Sequence, residues 1–174
     1  MNLKDVNVKK PCIVGIDPAA NGTTGMYLKW RDEKEYRLMT ELKNDNSVDA
    51  ASSIVNQILQ WEAKIKHKID IIAVEEVTPF NITKKDFIPQ NVVDIVGVFH
   101  ILRAVFKDRY FGFLPSEKNF ERYRKLKETQ FNFFKKSEHI LDAYLLNERA
   151  NDVFWKKGNY YNWEGKRTKW LKQN

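Results

Sequence analysis

The chain has 174 residues, 43% of them hydrophobic and 30% charged, which is enough for one domain with a real core. Its apolar runs fall far short of a membrane span, and its polar N-terminus lacks the apolar core of a signal peptide. A single cysteine, Cys12, excludes an internal disulfide and suits a reducing, cytoplasmic compartment. The net charge of +7 suits either a polyanionic partner, nucleic acid above all, or a solvated basic surface.

Residues 12–17, Cys-Ile-Val-Gly-Ile-Asp, predict a buried strand with Asp17 at its end, where Pro18 stops the ladder. Residues 19–22 predict a turn. Strands at 23–30 and 35–42, joined by the polar 31–34, complete an antiparallel meander. Ser47 is the expected N-cap of a helix to about residue 66, with Ala51, Val55, Ile58 and Leu59 on one face. A second apolar run at 69–77 ends in Glu75 and Glu76. Because it follows a helix, it is expected to return parallel to the first strand.

Residues 81–90 read as a loop, and 90–107 as a helix with Val92, Ile95, Val96, Phe99, Leu102 and Phe106 as its apolar stripe. A short strand at 110–114 precedes a basic helix from Ser116 to about 126 and a last helix at 136–150. Residues 1–11 read as an extension and 151–174 as a basic, aromatic tail on a single domain, 1–174. The order is that of an α/β protein of the ribonuclease H-like fold. Its mixed five-stranded sheet, an antiparallel meander plus parallel strands, is flanked by helices. The fold leaves function to be argued from the site.

The positive charge is clustered. Residues 115–136 carry seven basic side chains against three acids, and residues 151–174 carry six against two, so each segment is +4. The rest of the chain is −1. Arg122, Arg124 and Lys125 belong to the first cluster. In the second, Tyr160, Tyr161, Trp163 and Trp170 interleave with lysines, which suits contact with DNA or docking onto a partner subunit.

Three distant segments each bring acid or imidazole to an element end: Asp17, Glu75, and the pair His139 and Asp142, three apart on one helix face. A buried charge is rare unless paired or metal-bound. Carboxylates at strand ends suit hard divalent cations, and two such ions ~4 Å apart can clamp both oxygens of a phosphodiester displacement. Each residue also has a plainer reading. Asp17 can cap a turn, His139 can simply pack, Asp142 can pair with Lys135 or Lys136, and Glu76 is expected to be the surface acid of its pair.

Gly15-Ile16-Asp17-Pro18, Ala73-Val74-Glu75 and His139-Ile140-Leu141-Asp142-Ala143 resemble, in order and spacing, the catalytic segments of RuvC-type Holliday junction resolvases. Gly97-Val98 is similar to a small-residue position in a helix of that family. The sequence departs from the pattern at Ala19, where glycine is common, in its extended N-terminus and in its aromatic tail.

The resemblance implies a homodimeric, magnesium-dependent endonuclease that nicks opposing strands of a four-way junction. Two Mg2+ per active site would be expected, with Mn2+ as a substitute. It implies Asp17, Glu75 and Asp142 as catalytic metal ligands, with His139 supplementing them. It also implies Lys118 as a phosphate contact and Phe80 as a platform for an unpaired base, although Phe80 reads equally well as a core residue. Arg122, Arg124 and Lys125 would extend the DNA-binding stripe, and Val92, Ile95, Val96 and Phe99 are a candidate dimer face. No small-molecule cofactor or membrane partner is implied. A ribonuclease H-like nuclease acting on RNA or an RNA/DNA hybrid, and a non-catalytic nucleic-acid-binding module, are the alternatives. The chain is too short for the two lobes of an actin-like sugar kinase.

Overall fold

Two short apolar runs, IVGID and IIAVE, build the centre of the sheet. They are β1 (Ile13–Asp17) and β4 (Ile71–Glu75), each buried up to its last residue. Such continuous apolar strands belong in a sheet covered on both faces. The computed structural model describes residues 10–31, 35–76, 90–115, 121–130, 134 and 137–154, with the backbone alone at 31, 121 and 122. Among these, β2 (Gly22–Arg31), β3 (Glu35–Asn44) and β5 (Tyr110–Phe113) complete the sheet. The strand order is β3-β2-β1-β4-β5. The β1–β2 and β2–β3 pairs are antiparallel, while β1–β4 and β4–β5 are parallel. This is the mixed sheet expected from the sequence.

The helices are α1 (Ser47–Ile65), α2 (Gln90–Phe106), α3 (Glu121–Gln130) and α4 (Glu138–Phe154), with a 3₁₀ turn at Lys107–Arg109. Strand alternation divides the core into two layers. Val14, Ile16, Met26, Leu28, Ile72 and Val74 pack with Ile54, Ile58, Val98 and Leu102 of α1 and α2. Ile13, Ile71, Ala73, Phe111 and Phe113 pack with Leu146, Ala150 and Phe154 of α4 on the other face. No helix among the described residues is long and apolar enough to cross a membrane.

Several boundaries differ from expectation. Asn46, not Ser47, caps α1: its side chain accepts from the Asp49 N–H at 2.9 Å. Leu59 is 53% exposed, because the buried face of α1 runs through Ala50, Ala51, Ile54, Ile58, Trp61 and Ile65. The stripe on α2 turns inward: Phe99 is buried, and Ile95 and Val96 pack against the core. Of the four candidate dimer-face residues only Phe99 is buried; Val92, Ile95 and Val96 are half-buried. The helix expected from Ser116 to about 126 is α3, which spans Glu121–Gln130. The last helix runs beyond residue 150, and Phe154 is fully buried, so the presumed tail begins later than 151. The loop expected at 81–90 lies outside the described residues except for its last residue, as do Ser116 and residues 155–174.

Candidate active site

The geometry starts from strand parity. Ile16 pairs with Val74 across β1 and β4, so Asp17 and Glu75 follow as neighbours at the same edge of the sheet. Glu75 is in register with Phe113, whose side chain packs in the α4 layer, and it shares that face. One of its carboxylate oxygens, Oε2, is buried.

α4 lies unusually close to this face. A Cβ on Gly25 would stand 2.1 Å from the His139 carbonyl oxygen, and one on Gly15 would stand 2.0 Å from that of Ala143. Only glycine permits these approaches; a glycine inside a strand often marks such a site. Gly25 is paired with Asp17, so the first turn of α4 sits directly over the end of β1. Ser137 starts that turn: its Oγ accepts from the Ile140 N–H at 3.0 Å, as an N-cap does. Farther along, the buried Asn147 amide donates to the Ile13 carbonyl at 2.7 Å, tying α4 to β1.

This seating brings His139 Nδ1 to 3.0 Å from Asp17 Oδ2, across 122 residues of sequence. Asp17 is 19% exposed and His139 47%, so the pair opens to solvent on the imidazole side. Asp142, one turn on, has its Oδ1 3.4 Å from the Lys127 ammonium on α3, where the sequence suggests Lys135 or Lys136 as the partner. α3 itself is held by Tyr123, which is 3% exposed and donates to Asp152 Oδ2 at 2.5 Å. Burial, and then this bond to the Asp152 carboxylate, push the Tyr123 phenol up to about 12.

The expected site residues therefore divide. Asp17 and Glu75 end neighbouring strands and His139 reaches Asp17, whereas Asp142, one turn on along α4, meets Lys127 of α3. As their side chains stand, no three His, Cys, Asp or Glu residues among those described converge closely enough to hold a metal ion. The donor chemistry still fits: the carboxylates are hard oxygen ligands. Cationic groups already lie against two of them, His139 when protonated at Asp17 and Lys127 at Asp142. Arg124 and Lys125 are exposed on α3, and Arg122 lies on the same helix. Phe80 and Lys118 lie outside the described residues.

Glu76 is a correction. It is 9% exposed rather than a surface acid, and it lies on the opposite face of the sheet from Glu75. Arg103 Nη2 donates to both its oxygens, at 2.7 and 2.6 Å, and Nε donates at 3.1 Å. The Tyr110 hydroxyl also donates to Glu76. Burial, and then the Glu76 charge, raise the Tyr110 pKa. Sequence reading missed this group together with Lys127, Ser137 and Asn147. Ser137 alone left a local signal, a serine just before an apolar helical pattern.

No protein-family model matches the chain, and no curated protein is similar to it in sequence. Solved structures do resemble it. RuvC of T. thermophilus, in complex with Holliday junction substrate, superposes with a TM-score of 0.56 at 12% identity, over 80% of this chain and 91% of that one. The yeast mitochondrial Holliday junction resolvase Ydc2 gives 0.42 at 13% identity, over 95% and 83%. The large terminase of a thermophilic bacteriophage gives 0.47 at 12% identity, over 85% of this chain and 41% of the terminase. The chain thus has the ribonuclease H-like fold and is structurally similar, at low sequence identity, to the Holliday junction resolvase RuvC.

Proposed function

We propose that this chain is a metal-dependent, structure-selective DNA endonuclease that resolves four-way junctions by paired nicks. One observation carries the reading: His139, at the start of α4, meets Asp17 at the end of β1 on the edge where Glu75 ends the neighbouring parallel strand. The fold shared with a junction-bound resolvase supports the choice of substrate.

In this reading Asp17, Glu75 and Asp142 would hold divalent cations, Mg2+ or Mn2+, with His139 beside Asp17. When bound, such ions supply Lewis-acid stabilisation of the phosphodiester under attack. The carboxylates fix where that charge sits. His139 orients the Asp17 carboxylate through its Nδ1 contact. Lys127 offsets the charge of Asp142. Arg122, Arg124 and Lys125 on α3 would donate to backbone phosphates, Lys118 would make a further phosphate contact, and Phe80 would stack on an unpaired base.

A homodimer matches the two-fold character of a junction. Its face on α2 is the exposed row Val93, Ile101 and Val105, at helical spacing and on the side away from the core.

The test is a synthetic four-way junction incubated with protein and Mg2+, beside an RNA/DNA hybrid and a structured RNA. Wild type is expected to nick the junction in paired, opposed strands, and Asp17→Asn is expected to abolish nicking while leaving the fold intact. Preferential cleavage of either RNA substrate would move the assignment to a ribonuclease. Junction binding without turnover would leave a non-catalytic binding module.

A further inference from the structure

β4 ends in Glu75 and a second carboxylate, Glu76, follows it directly. Consecutive strand residues point to opposite faces, and a slip of one residue exchanges them. Glu75 faces α4 and the site, whereas Glu76 lies over Gly112 toward α2. A Cβ on Gly112 would meet the Glu76 carboxyl carbon at 2.3 Å, so the glycine leaves space that the carboxylate fills. Three donors from two other elements hold that carboxylate: the Arg103 guanidinium through Nη2 and Nε, and the Tyr110 hydroxyl. The Glu76 amide also donates to the Phe113 carbonyl at 2.8 Å, extending the β4–β5 ladder by one residue. Arg103 lies on α2 and Tyr110 opens β5, so the clamp ties β4 to both.

Nothing in the chemistry of the cleavage site calls for this group, because it faces the other side of the sheet. The Glu76 carboxylate is largely buried while the Arg103 side chain is 52% exposed, so the pair contributes little net stability, but its bidentate geometry fixes where the carboxylate lies. We propose that Glu76, clamped by Arg103 and Tyr110, is a positioning residue that sets the register of the end of β4 and so aims Glu75 into the metal-binding edge. The inference rests on the nuclease reading above, which gives Glu75 its role. Groups hydrogen-bonded directly to a metal ligand change metal affinity by about 10- to 100-fold when removed, so a group acting through the adjacent backbone is expected at the lower end of that range.

The experiment compares wild type with Arg103→Met, Tyr110→Phe and the double variant Glu76→Gln/Arg103→Met. Tyr110→Phe deletes a single hydroxyl, and the double variant leaves no uncompensated buried charge, so both keep the test open if Arg103→Met fails to fold. Three properties are measured on each: Mn2+ binding by calorimetry, the Mn2+ dependence of junction nicking, and amide exchange at residues 74–76.

The proposal expects faster exchange at 74–76 and about tenfold weaker Mn2+ binding in the clamp variants. It also expects nicking at saturating Mn2+ to recover most of the wild-type rate. Folded variants whose Mn2+ binding matches wild type, with or without faster exchange, would overturn it, since a purely structural clamp lowers stability alone. Wild type that neither binds Mn2+ nor nicks the junction would overturn the nuclease reading and this inference together. Wild type that does both, beside unchanged variants, overturns this inference alone.

Discussion

Gly15 and Ala143 meet so closely that a Cβ on the glycine would stand 2.0 Å from the Ala143 carbonyl oxygen and 2.8 Å from the Asn147 nitrogen. The obstacles are backbone atoms of α4, which a rotamer change cannot move aside. Gly15→Ala must therefore push the helix off the sheet. A loss of about 1–3 kcal/mol is expected from this overpacking, read as a lower urea midpoint. Because His139 rides on the same helix, junction nicking is expected to fall as well.

Gly97 supplies the contrast. It lies inside α2, and among the described residues a Cβ there would meet the Ser47 side chain, at 3.7 Å, an ordinary contact. Gly97→Ala should raise stability by about 0.5–1 kcal/mol through the better helix propensity of alanine. The same denaturation series checks both glycines. A loss at Gly97 would mean that its small size serves something other than this packing.

Asn147 tests how α4 is held in place. Its amide is buried, and its bond to the Ile13 carbonyl joins α4 to β1. Asn147→Leu leaves that carbonyl without the amide donor in the interior. The carbonyl keeps its place in the β1–β2 ladder, so the expected cost is that of one lost hydrogen bond, about 0.5–1.5 kcal/mol. Calorimetric melting of the variant reads it directly.

Tyr27 makes stability depend on alkaline pH. Burial raises its pKa from 10.0 to about 12, against a smaller opposing effect of Arg37. Its ring lies edge-on to Phe134 and Tyr144. The native state keeps the phenol proton longer than the unfolded chain does. The stabilisation is complete below the unfolded pKa near 10 and is lost as pH rises through the folded value near 12. Urea midpoints of Tyr27→Phe should therefore decline less steeply than those of wild type over that window. Tyr123, raised to about 12 as well, keeps some of the decline in place.

Arg124 and Lys125 are exposed on α3 and contribute to the net charge of +7. If both contact phosphates, replacing them with alanine should weaken junction binding and flatten its salt dependence. The slope of log affinity against log salt is expected to fall by about 0.9 for each phosphate that is no longer neutralised. Fluorescence anisotropy with a labelled junction at several salt concentrations measures it. An unchanged slope would return both residues to the solvated surface.

Local pattern determined much of this protein by itself. Two continuous apolar runs, a meander and intervening helices were enough for the mixed sheet, because burial period and turn chemistry act within a few residues. They also put Asp17 and Glu75 at neighbouring strand ends. Tertiary packing decided the remainder. The pairs Asp17–His139 and Lys127–Asp142 exist because α4 settles on Gly15 and Gly25 and α3 leans on α4 through Tyr123. Glu75 and Glu76 are identical in type and adjacent in sequence, so composition could not say which would be buried. Arg103 and Tyr110, brought from 27 and 34 residues away, made that choice. A side chain's periodicity reports the face it occupies, but the group it meets there is supplied by distant segments that only folding brings near.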